Sequence, residues 1–153
     1  MFYVSALNII LFRWTRKFDI FLRDKLFFPI NIEDAHWTLV IVLIEKKQIL
    51  YRDSLGNSGQ LYTDAIKRYI FEEWQLRKGM PMTQAQMDEW EVMSMPPIDS
   101  PKQENGFDCG MFVCMYADYM LNNLPEQFSQ NDMPMLRQKI CYCILTGKLL
   151  YTI

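Results

Sequence analysis

The sequence predicts an α+β fold, a small mixed sheet packed by helices. Residues 37–44, Trp37-Thr38-Leu39-Val40-Ile41-Val42-Leu43-Ile44, form an unbroken apolar run rich in β-branched side chains, as expected of a strand covered on both faces. Apolar side chains recur at helical spacing from Leu61 to Trp74, and the stretches 109–122 and 132–146 also read as helices. Short polar turns separate these segments. No repeat, low-complexity tract or Gly/Ser linker intervenes, so residues 1–153 are expected to form one domain.

The elements follow from local chemistry. Met1 to Phe12 is apolar, but a membrane span needs roughly 20 residues, and the stretch lacks the basic start and small-residue cleavage site of a signal peptide. A packed helix or extended segment is expected there. Leu26 to Ile30 reads as a short strand, with Pro29 marking an edge or an end. Asn31 to Ala35 reads as a polar turn into the long apolar strand. Glu45-Lys46-Lys47 then turns the chain so that Gln48 to Asp53 returns as an antiparallel hairpin partner. Ser54 to Gly59 is a loop of turn residues.

The first helix is predicted with Ser58 as N-cap, Leu61, Ala65, Ile66, Tyr69, Ile70 and Trp74 on its core face, and Gly79 as its stop. Residues 80–88 read as a loop and Trp90 to Met95 as a strand ended by Pro96-Pro97. A helix from Cys109 to about Asn122 follows. The last begins near Asp132, tolerates Pro134 in its first turn, and ends at Thr146-Gly147.

Composition narrows the function classes. Half of the residues are apolar and the net charge is -2, with both signs interspersed and no basic block. Nucleic acid is therefore not an expected ligand, nor is a membrane, and a protein partner is the natural one. The four cysteines stand at 109, 114, 141 and 143, without the C-x2-C pairs of structural zinc sites. Reduced thiols are expected, with Cys114, Cys141 and Cys143 embedded in apolar helical faces as core residues. No metal or cofactor is implied.

Cys109 differs from those three. The run Gln103-Glu104-Asn105-Gly106-Phe107-Asp108-Cys109-Gly110 delivers it from a polar, glycine-bearing turn to a helix start. There, unpaired N–H groups and the positive end of the helix dipole favour a thiolate. The sole histidine, His36, opens the long strand, and Asp53 ends its hairpin partner at the same end of the ladder. Thiol, imidazole and carboxylate are the parts of a cysteine hydrolase: nucleophile, general base, and a group that fixes the imidazole tautomer. Gln103, across the Asn105-Gly106 turn, can offer its amide to a developing oxyanion together with the Cys109 N–H. Gly110 keeps a side chain out of the path of a substrate backbone.

These residues resemble the SUMO-specific cysteine proteases, the sentrin or ubiquitin-like-protein-specific proteases, distant relatives of adenoviral protease. Arg13-Trp14-Thr15-Arg16-Lys17 and Phe27-Phe28-Pro29-Ile30 resemble the approach to the family's His-Trp pair, here His36-Trp37. Tyr51 to Gly56 resembles its aspartate strand, and Gln103 to Gly110 matches its Q-x-N-G-x-D-C-G pattern at every fixed position. Met133-Pro134 and Gly147-Lys148-Leu149-Leu150 resemble its closing helix.

The resemblance implies a papain-like, adenain-like fold and cleavage after the C-terminal Gly-Gly of SUMO, in deconjugation and precursor processing. It assigns His36 as base and later acid, Asp53 as its orienter, Cys109 as nucleophile, Gln103 as oxyanion donor and Trp37 as the cover over the substrate glycines. SUMO and SUMO-conjugated proteins are the implied partners of a protein expected to be a monomer in the nucleus and also the cytoplasm. Another ubiquitin-like modifier such as NEDD8 is the alternative substrate, and a non-catalytic SUMO-binding module the alternative function. The family's domain carries further sequence before the Arg-Trp-Thr segment, including a second Trp with nearby acidic residues. Residues 1–12 resemble only the tail of that segment, so the domain is expected to be partial at its N-terminus.

Overall fold

The computed structural model describes residues 15–148. Expectations for residues 1–14, including Arg13 and Trp14, and for Leu149-Leu150 lie outside the described residues. Four strands, β1 (Lys25–Ile32), β2 (His36–Leu43), β3 (Gln48–Arg52) and β4 (Glu91–Met93), make one sheet in the order β1-β2-β3-β4. The first three form an antiparallel meander, and β4 joins β3 in parallel, so the sheet is mixed. The α-helices bounded within the described residues are α1 (Gln60–Lys78), α2 (Gln84–Asp88), α3 (Cys109–Leu121) and α4 (Met133–Thr146).

The apolar run of β2 is explained by a layer on each side. Val40 and Val42, with Ile49 and Tyr51 of β3, pack against Ile66, Tyr69 and Ile70 of α1. Leu39, Ile41 and Leu43, with Leu50, pack against Met111, Phe112, Met115 and Tyr116 of α3, and against Met133 and Leu136 of α4. Leu39 to Val42 are fully buried. Each such side chain contributes about 1.5–3 kcal/mol relative to exposure, so β2 is the most firmly held strand. Alternate residues face different helices, which is why polarity does not alternate along it.

Several local expectations need correction. The strand predicted over 26–30 extends over Lys25–Ile32, running through Pro29 because β1 is an edge strand and an edge tolerates a missing donor. The turn is confined to Glu33-Asp34-Ala35, where Glu33 and Asp34 both take positive φ and the Ala35 N–H donates to the Ile32 carbonyl at 3.0 Å. Residues 84–88 are helical rather than loop, since Thr83 and Gln86 form a reciprocal capping box. The strand predicted over 90–95 shortens to Glu91–Met93.

The N-cap of α1 is Gly59, not Ser58, and Leu61 is exposed rather than on the core face. Gly59 is there for space: a Cβ would stand 2.3–2.4 Å from ring atoms of the buried Tyr51. Gly79 does end α1, in the left-handed conformation. The four cysteines are unbridged, and only Cys109 is buried; Cys114 and Cys141 are exposed and Cys143 is intermediate. The core role expected for those three fails because the buried faces of α3 and α4 are filled by Met111, Phe112, Met115, Tyr116, Met133 and Leu136 instead.

One ionic contact joins α4 to the start of α3. The carboxylate of Asp108, the N-cap of α3 and 2% exposed, accepts from Arg137 of α4 through Nε at 2.9 Å and a terminal guanidinium nitrogen. It also accepts from Asn105 Nδ2 and Gln130 Nε2, each at 2.7 Å. Burial pushes the Asp108 carboxyl up, but the bonds from Asn105, Arg137 and Gln130 and the guanidinium charge outweigh it and hold the group below the usual carboxylate range.

Two measurements check this packing. Gly59→Ala should lower stability in urea by about 1–3 kcal/mol, as a buried ring and a helix start are forced apart; an unchanged midpoint would mean the two can separate freely. A depressed carboxyl contributes stability that is complete above its unfolded value near pH ~4 and lost as pH falls through its folded value. Thermal melts from pH 6 to 3 should therefore show wild type losing stability on acidification more steeply than Asp108→Asn.

Candidate active site

The three reactive residues come from three elements that meet at one end of the sheet. His36 is the first residue of β2, and its register partner in β1 is Ile32. Asp53 directly follows β3, whose last residue, Arg52, pairs with Leu39. Continuing that register places Asp53 across from Thr38, two residues diagonal to His36 and on the same face of the ladder. The side chains close that gap: His36 Nε2 lies 2.6 Å from Asp53 Oδ1.

The carboxylate is built in before the histidine reaches it. Asp53 is 1% exposed, and its Oδ1 also accepts from the Leu55 N–H at 2.8 Å while Oδ2 accepts from the Asn57 N–H at 3.2 Å. The turn beneath closes with the Gly56 N–H donating to the Asp53 carbonyl at 3.0 Å, and Gly56 takes the positive φ this needs. A carboxylate that only accepts makes His36 Nε2 the donor, which assigns the neutral ring's lone pair to Nδ1. The His36 side chain retains 15% exposure, so the ring is held but not sealed.

Cys109 is the first residue of α3 and 7% exposed. The first helical bond runs from the Phe112 N–H to the Asp108 carbonyl at 3.0 Å, so the N–H groups of Cys109, Gly110 and Met111 have no partner within the helix. This turn lies against the start of β2: a Cβ on Gly110 would be 3.8 Å from Trp37 Cδ1. Trp37 itself remains 41% exposed, an aromatic surface beside the helix tip.

The loop before Cys109 is organised by Asn105. Its Oδ1 accepts from the N–H groups of Phe107 and Asp108, each at 3.1 Å, while its Nδ2 donates to Asp108. Gly106 has open space around it and no positive φ, so the turn rests on the asparagine side chain rather than on the glycine. Gln103 ties this loop to the aspartate loop. Its N–H donates to the Ser54 carbonyl at 3.0 Å, its Oε1 accepts from the Ser54 hydroxyl, and its Nε2 donates to the Asn105 carbonyl. One amide N–H of Gln103 is thus engaged within its own loop.

The site residues singled out in the sequence stand at this end of the molecule: His36 bonds to Asp53, Trp37 flanks Gly110, Cys109 opens α3, and Gln103 bridges the two loops. Sequence reasoning missed Ser54, the buried anchor for Gln103, and the Asp108–Arg137 contact beneath the helix start. Asp108 was visible inside the motif, directly before the thiol. Arg137, 29 positions from Asp108, had no local signal.

Comparison with known proteins shows the family. The family model described as Ulp1 protease family, C-terminal catalytic domain, matches residues 10–148. Sentrin-specific protease 2 of Pongo abelii is 36% identical over 138 residues, covering 90% of this chain and 23% of that protein. Ubiquitin-like-specific protease 1 of Saccharomyces cerevisiae is 35% identical over 143 residues, covering 90% of this chain and 21% of that protein. The chain therefore spans less than a quarter of the length of these relatives. The solved structure of the C-terminal Ulp1 protease domain, in complex with Smt3, the yeast ortholog of SUMO, superposes with a TM-score of 0.75 at 30% identity over 95% of this chain and 65% of that one. With the family model covering nearly all of the sequence, the chain belongs to the Ulp1 protease family.

Proposed function

We propose that this chain is a cysteine protease and isopeptidase that cleaves after the C-terminal Gly-Gly of SUMO, both in conjugates and in precursors. The observation that carries the reading is the His36 Nε2–Asp53 Oδ1 contact at 2.6 Å, which leaves Nδ1 as the basic nitrogen of the ring, while the helix that begins with Cys109 starts against the neighbouring Trp37. The Ulp1 domain solved with Smt3 supplies the substrate class by similarity.

In this mechanism Nδ1 takes the thiol proton, and Asp53 stabilises the imidazolium that forms. The thiolate attacks the carbonyl carbon of the terminal glycine. The oxyanion is met by the Cys109 N–H and by the second amide hydrogen of Gln103, the one not given to Asn105. Collapse breaks the C–N bond, and His36 returns its proton to the leaving lysine ε-amine. Water then cleaves the thioester by the same route reversed, restoring the thiol. Trp37 lies along the glycine pair, where a residue bearing a Cβ would clash, giving specificity for Gly-Gly.

A SUMO C-terminal vinyl sulfone should label wild type and not Cys109→Ser; absence of labelling alongside measurable SUMO binding would replace catalysis with a binding role. Labelling by a NEDD8 vinyl sulfone alone would reassign the substrate. His36→Ala should lower kcat/KM on a SUMO–fluorophore substrate by at least about 10²-fold, and Gln103→Ala by about 10²–10³ through kcat. Turnover retained in His36→Ala would remove the mechanism.

A further inference from the structure

The contact between Arg137 and Asp108 is made by the residue directly before the nucleophile, and the triad does not account for it. Asp108 precedes Cys109 in sequence, and its carboxylate is almost wholly buried. A bare carboxylate one residue from a reactive sulfur opposes a thiolate, because two like charges so close in the chain repel. Two neutral amides, from Asn105 and Gln130, satisfy its lone pairs but carry no charge. Only the Arg137 guanidinium does, and it also donates to the Phe107 carbonyl at 3.1 Å, so it holds both the N-cap side chain and the backbone just before it.

We propose that Arg137 is a positioning residue for the nucleophile: from α4 it neutralises Asp108 and fixes the peptide that leads into Cys109, so that the helix start presents a positive field to the sulfur. The inference rests on Cys109 being the nucleophile. It gives α4, which contributes no triad residue, a place in the reaction. Among the described residues, the charged and titratable groups towards this end include His36 and Asp53 from the ends of β2 and β3, Arg52 ion-paired with Glu126, Lys102 and Glu104 in the motif loop, Asp108, and Arg137. Lys102 stands over the aspartate loop, with its Cε 3.7 Å from where a Gly56 Cβ would lie. Glu104 is exposed, so Arg137 is the cation bonded to the carboxylate next to the sulfur.

The test follows Cys109 alkylation by iodoacetamide against pH, read by mass spectrometry of the Cys109 peptide, in wild type, Arg137→Gln, Arg137→Lys and Asp108→Asn/Arg137→Gln. Arg137→Gln should move the midpoint of the profile up by about one unit and slow alkylation at pH 7 about threefold to tenfold. Arg137→Lys should recover most of the shift, and the double variant should restore the wild-type midpoint because the opposing charge is gone. A purely structural Arg137 would lower the melting temperature while leaving the midpoint in place, and that result overturns the proposal, as does a double variant no better than Arg137→Gln. Because alkylation needs no SUMO, failure of the proposed substrate leaves this outcome unaffected.

Discussion

Leu39, Val40, Ile41 and Val42 lie fully buried in the middle of β2, alternately facing α3 and α1, and the rest of the molecule is arranged around that double burial. A strand clamped on both faces cannot slip, because a shift of one residue would exchange the side chains meant for each helix. Its first residues, His36 and Trp37, are therefore delivered to a fixed point. Burying Leu39 and Ile41 against α3 also brings the start of that helix beside Trp37. Packing in the core thus sets the distance over which the chemistry must act.

What the core positions, polar contacts refine. Asp53 is fixed by two backbone N–H groups of its own loop before it meets His36. The Gln103–Ser54 bonds lock that loop to the one that carries the thiol. Asn105 folds the second loop, and Asp108 ties it to α4 through Arg137. Each of these groups is paired, as buried polar groups must be if they are not to cost stability. The result is a site built from the ends of strands and of a helix, with loops pinned by these bonds.

Much of this was legible in the sequence where one local cause acts alone. The unbroken run of residues 37–44 announced a doubly covered strand, Gly79 and Gly147 stopped their helices in the left-handed conformation, and Pro134 took its place in a first turn. The sheet-end placement of His36 and Asp53 followed from hairpin register. Legibility failed where a distant neighbour decides. Gly59 replaces Ser58 as N-cap because the Tyr51 ring leaves no space for a Cβ, and Cys114 faces solvent because larger side chains of α3 already fill the core side. Residues 84–88 form a helix because a capping box at Thr83 and Gln86 outweighs the loop-like composition around it. The Arg137–Asp108 contact depends on how α4 docks, which no short-range pattern encodes.

The presence of a single histidine makes the central claim open to direct observation. Nitrogen NMR of the labelled protein reports the two ring nitrogens of His36 without any assignment problem. The account predicts a proton on Nε2, shifted far downfield by its bond to Asp53, and an Nδ1 signal that changes in Cys109→Ala. An Nε2 that carries no proton, or an Nδ1 signal indifferent to loss of the sulfur, would contradict the placement of base and nucleophile on which the proposed chemistry depends.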